Sequence, residues 1–410
     1  MKKYPVILFS IFVLTLSACV QDEKEEYFPG NDNTDSPSGT TFFSESDLEV
    51  LNEVLDLETT LFNYADQALP LHYTGTEANE SDNTPENNRI TNIGATLGRV
   101  LFYDKNLSAN NTISCASCHE QKAAFSDNRK FSVGLNGEST RRNSMTLINS
   151  RFYENGKFFW DERAATLEEQ VLMPIVDHIE MGMDLEQLEF KLQGLDYYNI
   201  LFEKTFGSTQ VTSDRIAKAL SQFIRSIVSV NSKFDEGFQA AGFPEDEEQM
   251  PDFPNFTAQE NLGMDIYYRG RKGGICLYCH GTPQHVNDEA KNNGLALNYS
   301  DKGKGEITGS PADHALFKVP SLRNVALTAP YMHDGRFETL MDVVNHYSDN
   351  VQNHPNLNVR LTTLDDGTQG VGEVLRLELT QEEKEALVAF LHTLTDQSIL
   401  TAEKYSDPFR

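Results

Sequence analysis

Apolar residues recur at helical spacing along much of the chain. From Ser46 to Leu69, Leu48, Leu51, Val54, Leu55, Leu61 and Phe62 predict a helix packed on the unit that follows. Between Leu167 and Val230 the pattern is largely helical, with one stripe at Leu185, Leu188, Leu192 and Leu195 and another at Ile216, Ala219, Leu220, Phe223 and Ile227. A last helix spans Thr380 to Thr395, and its start, Thr380-Gln381-Glu382-Glu383, has the form of a capping box. Residues 73–90 are polar with scattered Gly, Asn and Pro and read as loop. The acidic, Pro-containing stretch from Gly242 to Asn255 reads as a linker. A mostly α fold in two units follows, residues 46–241 and 242–410.

Two apolar stretches echo each other, Leu97-Gly98-Arg99-Val100-Leu101-Phe102-Tyr103 and Leu262-Gly263-Met264-Asp265-Ile266-Tyr267-Tyr268. Each precedes a cysteine pair: Cys115-Ala116-Ser117-Cys118-His119 in the first unit, Cys276-Leu277-Tyr278-Cys279-His280 in the second. In C-x-x-C-H the two thiols bond to the vinyl groups of haem and the histidine reaches the iron. One isolated copy also suits a redox dithiol or half a zinc site. Two copies behind similar lead-ins favour two haems c, in two tandem cytochrome c-like domains where haem replaces much of the core.

The N-terminal pattern changes the setting. Lys2 and Lys3, an apolar run from Val6 to Leu16 and Leu16-Ser17-Ala18-Cys19 read as a signal peptide over residues 1–18, too short to span a bilayer. Its end resembles a bacterial lipobox, which makes Cys19 a lipidated N-terminus. Four of the five cysteines are claimed by haem and Cys19 alone is left. Residues 19–45 then form a flexible acidic tether, and the expectation is a lipoprotein of the cell envelope, on its periplasmic or surface side, held to membrane through lipid only. The formal charge of −28 excludes nucleic acid as a natural partner. It reads as a solvated surface, with a docking face for a basic electron donor as the sharper alternative.

Longer runs carry a resemblance: Leu97-Gly98 through Ser114, Arg142-Asn143-Ser144, Phe159-Trp160-Asp161-Glu162-Arg163-Ala164, and Phe317-Lys318-Val319-Pro320-Ser321-Leu322-Arg323-Asn324 through Tyr331-Met332-His333-Asp334-Gly335. Over residues 90–395 the chain resembles the bacterial dihaem cytochrome c peroxidases and the MauG-like enzymes of methylamine utilisation. The resemblance implies that the haem on Cys115, Cys118 and His119 meets peroxide and that the haem on Cys276, Cys279 and His280 relays electrons. It implies that Trp160, the chain's only tryptophan, lies between the two, and that Gln170, Pro174 and Glu180 line the distal pocket. Glu180 is the acid–base group, since cleavage of a hydroperoxide needs a proton moved from one oxygen to the other. Without that frame, Trp160 would be core packing and Glu180 a surface charge.

Two positions divide the family. Where one branch has a distal histidine, within the segment matching Ser132-Val133-Gly134-Leu135-Asn136-Gly137, this chain has Leu135, and no histidine lies between His119 and His178. Met145 and His178 are the nearest candidates for a sixth ligand. Fourteen residues after His333, where classical peroxidases have methionine and MauG-like proteins tyrosine, stands Tyr347. His346, Met332 and Met341 compete with it as ligand of the second haem. A family calcium site matches at Asn143 and the carbonyls of Thr328 and Pro330, a set of oxygens that suits a hard cation. The alternative there is a capped turn.

The expected activity is reduction of hydrogen peroxide with electrons from a small donor protein, a cytochrome c or a cupredoxin. Oxidation of a protein side chain in the MauG manner is the alternative, and a non-catalytic electron carrier is a different class, which gains nothing from an open iron.

Overall fold

The computed structural model describes residues 42–75, 80–244, 249–271, 276–281, 284–363 and 373–410. The signal segment, Cys19 and most of the expected tether lie outside them.

The first helix, α1 (Glu45–Leu51), is capped reciprocally by Ser44 and Asp47. The helix expected to reach Leu69 ends at Leu51. Beyond it the backbone is claimed by residues far along the chain: Asp56 N–H donates to the Pro408 carbonyl and Arg410 N–H to that of Val54. Tertiary pairing overrides the local apolar spacing, and Leu55, Leu57 and Tyr64 are buried from irregular backbone. Phe43, placed above in the tether, is also buried.

The longer helices after α1 are α2 (Asn92–Tyr103), α3 (Leu167–Val176), α4 (Leu185–Gln193), α5 (Asp196–Phe206), α6 (Ser213–Ser226), α7 (Lys233–Ala240), α8 (Ala258–Arg269), α9 (Leu340–Asn345) and α10 (Gln381–Thr393). Thr380 caps α10 with Glu383 returning the bond, as the sequence predicts. A short antiparallel pair, β1 (Asn287–Lys291) and β2 (Phe317–Val319), completes the regular structure among the described residues.

The echoed lead-ins form α2 and α8, and each crosses a later helix of its own lobe. α2 packs on α6 and α8 on α10. Both crossings turn on a glycine: a Cβ at Gly98 would overlap the Ala219 carbonyl, and one at Gly263 would overlap that of Ala386. Close approach of backbones needs a residue without a side chain there.

Two apolar cores result. The first gathers Leu97, Leu101, Phe102, Leu220 and Phe223, and the second Phe253, Met264, Tyr267 and Phe390. Phe234 and Phe238 of α7 join the second core although they precede residue 242, and Met250 and Phe253, within the expected linker, are buried in that lobe's wall. Ile399 and Tyr405 return to the first core, so the first lobe is closed by the end of the sequence. Among the described residues no helix is long and apolar enough to cross a membrane.

Candidate active site

Cys115–Ser117 is a single tight helical turn that leads directly into His119. The His119 Nδ1 lies 3.0 Å from the Phe125 carbonyl, so that nitrogen carries the proton and Nε2 is left as the ligand nitrogen. Ala124 and Phe125 take left-handed backbone (φ 55° for both), which folds the chain back and aims that carbonyl. The second motif repeats the device, with Nδ1 of His280 3.3 Å from the carbonyl of His285, also at positive φ. Burial holds both imidazoles below their ordinary pKa, His280 to about 4, so each is neutral, as a ligand must be. Burial pushes the thiols of Cys115 and Cys118 up to about 12 and about 11, which disfavours a thiolate-driven dithiol and suits thioether attachment.

A cavity of about 390 Å³ opens beside the first motif. Cys118 and His119 line it together with Gln170, Pro174 and Glu180, and so does Trp160. Gln170 and Pro174 are one helical turn apart on α3 and share a face. After α3 the chain doubles back, with Gly182 N–H donating to the Asp177 carbonyl and the Asp177 carboxylate accepting from Glu180 N–H at 3.2 Å. This turn delivers Glu180 to the cavity. Burial first, then the neighbouring Asp177 carboxylate, raise its pKa to about 7, against the opposing pull of Arg163.

The segment where the resemblance implies a distal histidine in one branch, residues 132–137, lies on the backbone of this turn. Leu135 N–H donates to the Glu180 carbonyl at 3.0 Å, and the Leu135 side chain faces Gly182 rather than lining the cavity. His178 is exposed and is not among the lining residues, where His119 is the only histidine. Met145 does line the cavity, and its backbone is bonded to the His119 ring.

Trp160 stands where the lobes meet. Its indole N–H donates to the Asn143 carbonyl at 2.8 Å, its own carbonyl accepts from Lys318 N–H of β2, and its ring meets His333 edge-on at 6.4 Å. Around it, Arg142 binds Asp161 of the first lobe at 2.5 Å and Asp301 of the second at 2.7 Å, and Lys304 pairs with Glu162.

At the second motif, α9 ends in a π-helical turn, His346–Asn350. The wider turn separates two neighbours that compete as ligand. His346 Nε2 is engaged by the Asn293 carbonyl at 2.9 Å. Tyr347 OH accepts from Asn293 Nδ2 at 3.3 Å, and its pKa is raised first by burial and further by Cys279 and Cys276, which places the phenol beside the second cysteine pair. Met332 Sδ accepts from the same amide at 3.4 Å. Sequence reasoning missed Asn293, because an amide that touches two candidate ligands is visible only once the loops are folded.

For calcium the fit is partial. Asn143 is buried, its N–H donates to the His333 carbonyl, and its Nδ2 is used by the carbonyls of Arg129 and Lys130, leaving Oδ1 for a cation. Thr328 and Pro330 precede that contact by five and three residues. No group of three or more His, Cys, Asp or Glu among the described residues could hold a metal, so a site here would rest on neutral oxygens.

Two C-x-x-C-H turns with neutral, backbone-oriented histidines, one of them facing a built cavity, fit covalently bound haem and define a dihaem c-type cytochrome with an enzyme's pocket. Comparison with known proteins agrees. The family model for di-haem cytochrome c peroxidase matches residues 93–241. Cytochrome c551 peroxidase of Nitrosomonas europaea is 33% identical over 318 residues, 76% of this chain and 81% of that protein. Methylamine utilization protein MauG of Methylophilus methylotrophus is 32% identical over 313 residues, 76% of this chain and 84% of that protein. The crystal structure of a MauG-like protein associated with microbial copper homeostasis superposes with a TM-score of 0.66 at 33% identity, covering 80% of this chain and 96% of that one. The chain belongs to the di-haem cytochrome c peroxidase and MauG family, an enzyme family.

Proposed function

We propose that this chain reduces hydrogen peroxide at the first-lobe cavity with electrons that enter from an external donor protein through the second lobe. The observation that carries the reading is Glu180, a carboxylate raised to about 7 that shares one cavity with the ligand face of His119. Haem held by Cys115, Cys118 and His119 supplies the redox chemistry on the peroxide oxygens. Glu180 accepts a proton from one oxygen of hydrogen peroxide and returns it to the other, which leaves as water. Two electrons and two protons then balance one peroxide against two waters. Gln170 and Pro174 shape the wall over the reacting oxygens, and Trp160 bridges towards the second lobe.

The reading extends to ligation and location. Tyr347, beside Cys276 and Cys279, would bind the iron of the second haem, and Asn143, Thr328 and Pro330 would hold calcium. Residues 1–19 export the chain and anchor it by lipid to the cell envelope, where haem c is attached. A second activity, MauG-like oxidation of a protein side chain, is favoured by one feature: a first cavity lined by no histidine but His119.

The test mixes fully ferric holoprotein with stoichiometric peroxide, without reductant, and follows the Soret band. Prompt reaction is expected, followed by turnover when a reduced cytochrome c or cupredoxin is added. A protein low-spin at both haems and inert until the second is reduced would return the chain to the activation-dependent peroxidases. Failure to react even then would leave an electron carrier.

A further inference from the structure

Four cations line the first cavity, and three are matched by carboxylates. Arg141 faces Glu306 at 3.2 Å, Arg142 is held by Asp161 and Asp301, and Arg163 binds Asp161 at 3.0 Å. Lys318 is the exception. It is 2% exposed, and its Nζ is buried without a hydrogen-bond partner, resting 3.7 Å from the centre of the Tyr153 ring. A buried ammonium without an acceptor carries a desolvation penalty that a ring face offsets only in part. The penalty shows in its pKa, lowered to about 8 chiefly by burial, although Glu162 and Asp288, neither within ion-pair distance, pull the other way.

The location says what is missing. Lys318 lies on β2 of the second lobe, yet its backbone N–H is tied to Trp160 and its side chain lines the first lobe's cavity beside Tyr153 and Phe158. Arg129 is the cation beside Cys118, at the edge where the thiols attach to the vinyl groups. The two carboxylates of haem leave from the opposite edge of the same ring, and they are anions that need a cation when buried.

We propose that Lys318 is the counter-ion of a propionate of the first haem, contributed across the interface by the second lobe. The proposal rests on the reading that haem c fills this cavity. Loading that haem then ties the lobes together through Lys318. The ammonium also favours the reduced iron, because it offsets negative charge near it.

The test uses holoprotein whose content of two haems has been checked by pyridine haemochrome. A crystal structure of the native holoprotein should place Nζ within hydrogen-bond distance of a propionate oxygen of the first haem. Lys318→Met should shift the propionate bending band in resonance Raman and lower the midpoint potential of the first haem, with the second unchanged. Lys318→Arg should keep both near native. An ammonium still on Tyr153 with no carboxylate beside it overturns the proposal, as do an unchanged band and potential in Lys318→Met. Where that variant does not accumulate, the native structure decides. A native first site without haem is a different result, and it sinks the parent reading as well.

Discussion

A carboxylate that titrates near neutrality needs its charge made costly, and at Glu180 burial and Asp177 do this while Arg163 works the other way. The ionised form accepts the proton, so the peroxide step should rise with pH and level off above about 7. Glu180→Gln should lower kcat and kcat/KM for peroxide together by roughly 10²–10⁴-fold and flatten that rise, with haem content retained. Stopped-flow rates from pH 5 to 9, about the span that brackets neutrality, provide the check. Equal rates in both proteins would move the proton to Gln170 and water. Stability responds with the opposite sign: the folded pKa lies above the ordinary 4.5, so the native state binds the extra proton and Glu180 weakens folding as pH rises from 4.5 to about 7. Tyr347→Phe should change the low-spin spectrum of the second haem and raise its potential, since an anionic oxygen ligand stabilises oxidised iron. His346→Ala should leave the spectrum intact. The reverse outcome gives the ligand role to His346. Gln170, Pro174 and Glu180 share a cavity with His119, and the sequence pointed to them only through the family resemblance, by their order and spacing after Trp160. Arg163, Asp177 and Asn293 act only through proximity created by folding, and no spacing announces them.

The echo between the two lead-ins was legible in the sequence, and the crossings it serves were not. The repeated Leu-Gly start of the two lead-ins is the trace of two backbone contacts, Gly98 on Ala219 and Gly263 on Ala386. Gly98→Ala and Gly263→Ala should each cost about 1–3 kcal/mol by overpacking, despite alanine's better helix propensity. Thermal unfolding followed at each haem's own absorption should show each substitution acting first on its own lobe, and a rise in melting temperature would contradict the crossing argument. The capped start of α10 was equally legible, for its chemistry is local. The end of α1 was not, because residues 408–410 take the backbone that a longer helix would use. β1 reads Asn-Asp-Glu-Ala-Lys, with no alternation to reveal a strand.

For the whole molecule, the interface decides whether two haem lobes act as one enzyme. Arg142 joins a carboxylate from each lobe, and Arg142→Ala should cost about 1–3 kcal/mol, because half-buried Asp301 loses its guanidinium while buried Asp161 keeps Arg163. Chemical denaturation of the holoprotein measures that loss, and a change below about 1 kcal/mol would make the pair no more than a surface bridge. Trp160→Phe removes the bond to Asn143 and shortens the aromatic bridge towards His333. Peroxide binding should stay near native while donor oxidation slows, as read by single-turnover mixing with reduced donor. Native donor turnover would make Trp160 packing alone.

The return of residues 399–409 to the first core has a bearing on biogenesis. Leu55 pairs with Phe409, and the Tyr64 hydroxyl donates to the Lys404 carbonyl at 2.5 Å, so the wall beside the first haem motif is finished by residues made long after it. Closing contacts across some 340 positions is slow compared with forming the local crossings of either lobe. The Cys115 motif would therefore stay uncovered while the second lobe is still being made. That interval leaves both thiols open to haem before residues 399–409 close over the lobe.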